Sequence, residues 1–372
     1  MDFQLNEEQQ AIADLTDQIL GDLCTHDRLK SLSASKDFVD REAWAALAEA
    51  GVTGAAIPTE HGGLGLGFLA TAVALQSAGR HASPVPLLTT VVMGAMPLVE
   101  FGTSDQHAVW LPGIADGSQL VAAAMYEPGT AAASPLLQAE PDQDGFRLRG
   151  VKPMVDGGLD ADLLLVPARF ENGRTGVFLV PSDTEGIARQ VVEVTNGRSQ
   201  AHVTFDGVPV TVDQLLGGPE ADGSAIVAWI EQRATVAMCM MMAGAAEASI
   251  ALAAEYTKQR EQFGRAVATF QAVSNRAGDS YIDTEAIILT AWQAAWRIDA
   301  GLAAEEQTRI AAWWAAEGGY RVVHAAVHVH GGVGVDRDYP LHRHFLLARQ
   351  LELTLGNGED HLEALGRALA ES

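Results

Sequence analysis

Arg260, Gln262, Phe263 and Gln271 stand within one short stretch of the chain, Tyr256 to Gln271. Together they offer what an anionic, ring-bearing cofactor needs: a planar guanidinium fork, amide hydrogen-bonding groups and an aromatic face. Taken alone, an Arg in a last helical turn is equally explained by the carbonyl dipole it meets there. Upstream on the same helical run lies Glu247, the single charged residue between Ala234 and Ala254. Its neighbours at helical spacing, Ala243, Gly244, Ile250 and Ala251, are apolar or tiny, so it does not belong to a solvated stripe. Burial disfavours the charged form of an unpaired carboxylate, and that is one route to a general base suited to neutral pH. The alternative is an ion pair with an Arg on another helix. A third set lies near the end: His328, Gly331 and Gly332, among His324, His330, His342 and His344. His-x-His pairs can bind metal, but no carboxylate or Cys stands at a familiar spacing, so no metal is expected. The paired glycines point instead to close approach of backbone to a ligand or a neighbouring helix.

The elements that must position these residues follow from pattern. Glu7–Leu20 and Arg41–Ala50 place apolar residues at helical spacing, with Asp40 as an N-cap. Gly51, Pro58, Gly62, Gly63, Gly65 and Gly67 break the pattern before a helix around Leu69–Ala78. That loop carries neither a GxxxxGK motif nor GxGxxG after a strand, so a phosphate cradle is not expected. Another helical pattern starts near Ala82–Pro86 and ends at Gly102–Asp105. Six short runs follow at turn-separated spacing: Leu120–Ala124, Phe146–Leu148, Leu163–Ala168, Gly176–Val180, Val191–Val194 and His202–Phe205. They predict a small β-barrel or sandwich. From about Gly223 the helical pattern returns and holds to the end, as a bundle of long helices. The expected class is α+β, with helical residues 1–118, a β-domain over 119–220 and a four-helix bundle over 221–372.

Composition narrows the partners. The 372 residues hold 24 Lys and Arg against 48 Asp and Glu, a net charge of −24. Such a polyanion repels nucleic acid and anionic lipid. Two cysteines, Cys24 and Cys239, make no disulfide framework and fit a reducing cytoplasm. Met1–Asn6 has no basic n-region and no apolar run after it. Ala234–Ala254 has the length of a membrane span, but Ala, Gly, Ser and Met dominate it and Glu247 sits near its middle. A carboxylate there is costly in lipid, so a helix buried in a protein bundle is expected.

These residues resemble a known family. Tyr256–Gln271 is similar to the corner with which acyl-CoA dehydrogenases contact flavin on a neighbouring subunit, and His330–Gly334 resembles their second flavin-facing loop. Trp44–Leu47, Ile57-Pro58 and Gly62–Gly65 match the family's N-terminal helical domain, and Trp110-Leu111-Pro112 leads into its β-domain. The resemblance implies FAD, bound through Arg260, Gln262, Phe263, Gln271, His328, Gly331 and Gly332. It also implies an acyl-CoA substrate and an electron-transfer flavoprotein-like acceptor. The implied chemistry is α,β-dehydrogenation: a carboxylate removes the α-proton while hydride leaves the β-carbon for the flavin, with the thioester carbonyl held by hydrogen bonds.

Three departures qualify it. The family's usual base sits in a Tyr-Glu-Gly motif, whereas the corresponding stretch, Leu355-Gly356-Asn357-Gly358, has no carboxylate. Glu247 lies on the helix that supplies the base in a minority of members and is the expected base here. In Met125–Thr130, Glu127 and Pro128 survive, but the Gly-Ser-Asp that normally meets flavin and CoA does not. His328 stands where a flavin-contacting Gln is usual. Losses on one half of a composite site, with the other half kept, resemble the paired α2β2 dehydrogenases of steroid-degrading bacteria. Val329–Arg343 looks especially like one subunit of such a pair acting on sterol side-chain CoA esters. The expected partner is therefore a homologous subunit. The competing expectation is a catalytically silent subunit that only stabilises an active one.

Overall fold

Asn6 opens the first helix with a reciprocal cap: it accepts from the Gln9 N–H at 2.8 Å while the Gln9 side chain accepts from the Asn6 N–H at 3.2 Å. The computed structural model describes residues 5–35 and 38–371. The chain divides into two compact units. One comprises the N-terminal helices to residue 37, Phe68–Pro84 and Thr235–Ser372; the other comprises Phe38–Gly67 and Val85–Ala234.

The first unit is helical. It contains α1 (Glu7–Leu23), α2 (His26–Ser35), the helix that follows the Gly-rich loop, most of the long helix after the β-region and the helices beyond it. The second unit holds α3 (Arg41–Glu49), capped by Asp40, whose carboxylate accepts from the Ala43 N–H at 3.0 Å. The Gly-rich loop then leads to α4 (Gly67–Arg80). Pro84 and Pro86 delay the next helix: it runs as a π-helix over Leu87–Ala95 and continues as α5 (Met96–Phe101). The turn expected at Gly102–Asp105 is also a helix start, since Thr103 and Gln106 cap α6 (Ser104–Ala115) reciprocally.

All seven strands of the β-region join one sheet: β1 (Val121–Ala123), β2 (Gln138–Asp142), β3 (Gly145–Asp156), β4 (Leu163–Phe170), β5 (Thr175–Pro181), β6 (Ile187–Glu193) and β7 (Ser199–Val210). Its order is β1-β4-β2-β3-β7-β6, with β5 paired to β4, and it curls around one core. Strand β4 shows how the pattern works. Leu164, Val166 and Ala168 enter that core with Phe178, Phe205 and Val203, while Leu163 and Leu165 face Leu98, Leu111 and Ile230 on the other side. A strand buried on both faces reads as a continuous apolar run. Strand β2 escaped the pattern because Gln-Ala-Glu-Pro-Asp has one buried residue and a Pro.

Helix α7 (Gly223–Gln259) runs 37 residues. It is, among the described residues, the one helix long and apolar enough to cross a bilayer, and 61% of its most apolar window is buried inside the protein. In the helical unit α4 crosses it in direct backbone contact. A Cβ on Gly244 would stand 1.9 Å from the Gln76 carbonyl oxygen, and one on Gly79 2.0 Å from that of Met241. The room that Gly244 leaves is thus filled by α4. The missing side chains of Gly79 and Gly244 are what let the two helix backbones approach this closely. Gly244→Ala should cost about 1–3 kcal/mol through overpacking, read as a lower denaturation midpoint at unchanged m-value. An unaltered midpoint would show that the crossing yields freely.

After α7 come a hairpin of two-residue strands (Glu261–Gln262 and Arg265–Ala266), α8 (Gln271–Asp299) and α9 (Glu305–Trp313). A π-turn at Trp314–Gly318 then leads into α10 (Gly319–His330), followed by α11 (Leu341–Leu355) and α12 (Gly358–Glu371).

Candidate active site and cofactor arm

The α4–α7 crossing sets Gln76 and Arg80 beside Glu247, one turn beyond Gly244. Glu247 Oε2 accepts from Arg80 Nη2 and from Gln76 Nε2, each at 2.9 Å. Trp292 of α8 donates to Gln76 Oε1 at 2.9 Å and fixes the amide's orientation. Arg80 reaches the other way to Asp17 at 2.6 Å, and His81 lies 3.1 Å from the same Asp17 oxygen. Burial works against the Arg80 charge, but the charge and hydrogen bond of Glu247, then Asp17, outweigh it and raise the guanidinium's pKa. Asp17 is held below the usual carboxylate range: burial pushes it up, and Arg80 and then His81 more than compensate. Glu247 is therefore the partner of an Arg on another helix, as the alternative sequence reading had it, and its second oxygen lies outside this network. Sequence reasoning missed Gln76, Arg80 and Trp292. The available signal was an Arg and a Gln in the otherwise apolar α4, opposite in character to the lone Glu of α7.

The cofactor arm is exposed. Arg260, Gln262 and Gln271 lie on the surface, and Phe263, at the hairpin tip, is 93% exposed with φ +53°. A non-glycine residue at positive φ is strained backbone, and this one holds an aromatic ring out from its own unit. Arg260 makes no ion pair among the described residues. Arg265 covers the Phe270 ring with its guanidinium 4.1 Å from the centroid.

His328, Gly331 and Gly332 are also exposed, at the end of α10 and the start of the 3-10 turn Gly331–Val335. Nothing lies within 4 Å of where a Cβ would stand on Gly331, Gly332 or Gly264, so backbone is open to a ligand there. The two segments meet where Tyr256, a turn before Arg260, stacks on His330 at 4.4 Å and 25°. Beside this contact, a groove of about 390 Å³ lies among α7, α8 and α10, lined by Ala253, Ala254, Ala277 and Ala326, with Thr257 and Arg276 among its polar lining.

Two family models match the chain, the acyl-CoA dehydrogenase N-terminal domain over residues 6–118 and the C-terminal domain over 222–370. The chain belongs to the acyl-CoA dehydrogenase family. Like that family it is an oxidoreductase acting on acyl-CoA, with FAD as cofactor. It is 36% identical to acyl-CoA dehydrogenase FadE27 of Mycobacterium tuberculosis over the whole of both chains. Among solved structures it resembles a chain of a variant of the Tcur3481-Tcur3483 steroid ACAD, at 40% identity and TM-score 0.90 over 98% of each chain. It also resembles a chain of the ChsE4-ChsE5 complex from Mycobacterium tuberculosis, at 36% identity and TM-score 0.93 over all of both chains.

The acyl-CoA dehydrogenase arm fits FAD on its own geometry. A guanidinium without a carboxylate partner suits a pyrophosphate, open glycine backbone permits close approach, and an outward Phe offers a stacking face. FAD supplies the hydride acceptor when bound, and Arg260, Phe263, Gly331 and Gly332 are the residues that would hold it.

Proposed function

We propose that this chain is one subunit of an FAD-dependent acyl-CoA dehydrogenase whose flavin site is shared with a homologous partner subunit in an α2β2 assembly. The observation that carries the proposal is the exposed arm: Phe263 stands out from its own unit, beside an exposed Arg260 without an ion pair among the described residues. The loss of Gly-Ser-Asp after Glu127-Pro128 and of a carboxylate at Leu355–Gly358 supports a site completed elsewhere. The substrate class we infer is a bulky, sterol side-chain acyl-CoA thioester, supported by the likeness to a chain of a steroid acyl-CoA dehydrogenase. The division of the chain after residues 118 and 220, a cytoplasmic setting and an electron-transfer flavoprotein-like acceptor belong to the same proposal. Arg260, Gln262, Phe263, Gln271, His328, Gly331 and Gly332 are its flavin-facing residues.

Glu247 is proposed as the base that takes the α-proton, anchored through Oε2 so that Oε1 is the oxygen that reacts. The Arg80 ion pair favours a second reading, in which Glu247 is a strut between helices and the partner supplies the base. Co-purification decides the first point. The chain expressed alone should bind little FAD, and co-expression with the partner subunit should yield a yellow complex with fewer flavins than chains. A homotetramer with a full flavin per chain would sink the shared site.

A further inference from the structure

His330 closes α10 and is buried, at 3% exposure. Nδ1 lies 2.7 Å from the Ala326 carbonyl oxygen, which only accepts, so Nδ1 carries the proton. The Leu252 backbone also hydrogen-bonds to the ring; with Nδ1 as the protonated nitrogen, Nε2 accepts from the Tyr339 hydroxyl, whose oxygen is 3.1 Å away. Burial moves both groups in the direction this needs: the imidazole's pKa is lowered and the phenol's raised, so the ring stays neutral and the hydroxyl keeps its proton. This side-chain bond joins the two ends of the segment Gly331–Asp338, which contains Gly331 and Gly332. The segment is also pinned from within, since a Cβ on Gly334 would lie 2.9 Å from the Val327 carbonyl oxygen and 3.1 Å from His330 Cβ. The opposite face of the His330 contact is Tyr256, stacked on the ring and one turn before Arg260. Tyr339 completes the cluster, with its ring 5.1 Å from His330 and 6.4 Å from Tyr256.

We propose that His330 and Tyr339 are positioning residues for the flavin. Their hydrogen bond closes the Gly331–Asp338 loop, and the His330–Tyr256 stack sets that loop against the Arg260 arm. Neither side chain needs to touch the cofactor. They fix the spacing between two exposed segments that the chain otherwise joins only through long helices. Binding to a preset pair of segments loses less conformational freedom than binding to two independent ones. The proposal rests on the reading that Arg260 and Gly331-Gly332 face FAD.

The test is FAD titration of the apo form of the flavin-loaded assembly that the full chain forms, followed by flavin fluorescence. Tyr339→Phe keeps the ring and removes the hydroxyl; His330→Phe keeps the stack and removes the acceptor. Each should raise the Kd for FAD about tenfold, the scale of one lost hydrogen bond, and change the visible circular dichroism of the bound flavin. The melting temperature of the apo assembly should stay within about 1 °C of the parent's, a bound set by the length of the chain. His330→Gln, which restores an acceptor, should recover most of the affinity. An FAD Kd within twofold of the parent for Tyr339→Phe overturns the proposal. So does a fall in apo melting temperature with FAD affinity intact, since that marks a purely structural role. Arg260→Ala separates the two levels. If it weakens FAD binding while Tyr339→Phe does not, only the clamp fails; if it leaves FAD binding intact, the flavin-facing reading fails and the clamp with it.

Discussion

Glu247→Gln is expected to lower kcat for α,β-dehydrogenation by about 10²–10⁴-fold, the usual contribution of a general base, with flavin content and KM unchanged. The substitution is chosen for what it preserves. A Gln amide oxygen accepts from Arg80 and Gln76 as Oε2 does, so the hydrogen-bonded chain from Trp292 to Asp17 keeps its members. What disappears is the proton acceptor. If Glu247 is instead a strut, turnover stays within about twofold while the protein loses stability, because Arg80 trades a charged partner for a neutral one. Asp17, already 2.6 Å from Arg80, limits that loss. The two roles therefore separate on kcat against melting temperature, and unchanged turnover would remove Glu247 from the chemistry. A pH–rate profile adds a second readout, since removal of the essential base should abolish the acidic limb of kcat rather than shift it.

Much of this arrangement was legible because it is local. The capping signal at Asp40 predicts a helix start from residues three apart, and the continuous apolar runs of β4 and β5 are read from neighbouring residues alone. The arm at Arg260–Gln271 was legible for the same reason: its residue types lie in one stretch, and its outward projection follows from a hairpin between two helices. The partner of Glu247 was not. Arg80 lies 167 residues away, and the pairing depends on two glycines, Gly79 and Gly244, meeting at a crossing whose angle no periodicity encodes. The same small residues fit an open pocket or a close helix contact, and only the placement of α4 decides between them. Likewise, His330 reads in sequence as part of a histidine-rich stretch; its tautomer and role come from Tyr339 and the Ala326 carbonyl.

Lys152→Met should destabilise the sheet-bearing unit by about 3–5 kcal/mol, the cost of leaving a buried ion without its partner. Lys152 is fully buried in β3 and Glu127 is 3% exposed, with Nζ 2.5 Å from Oε1. Burial lowers the lysine's pKa, opposed by the hydrogen bond and charge of Glu127. Glu127 has further work: its carboxylate accepts from the backbone N–H groups of Leu136 and Leu137, tying down both ends of the segment that follows Pro128. That segment includes Gly129 and Thr130, where the sequence departs from the pattern the family resemblance implies. Removing Lys152 leaves the carboxylate with two neutral donors in a dry core, whereas Glu127→Gln added to Lys152→Met removes the stranded charge. The double variant should recover about 0.5–3 kcal/mol relative to the sum of the single changes. Urea titrations of the parent, the two singles and the double give the coupling directly, with limited proteolysis reporting on residues 129–135. Strict additivity would mean that the two side chains are stable independently. A positive coupling with enhanced cleavage would mark the pair as the staple of the loop over residues 129–135.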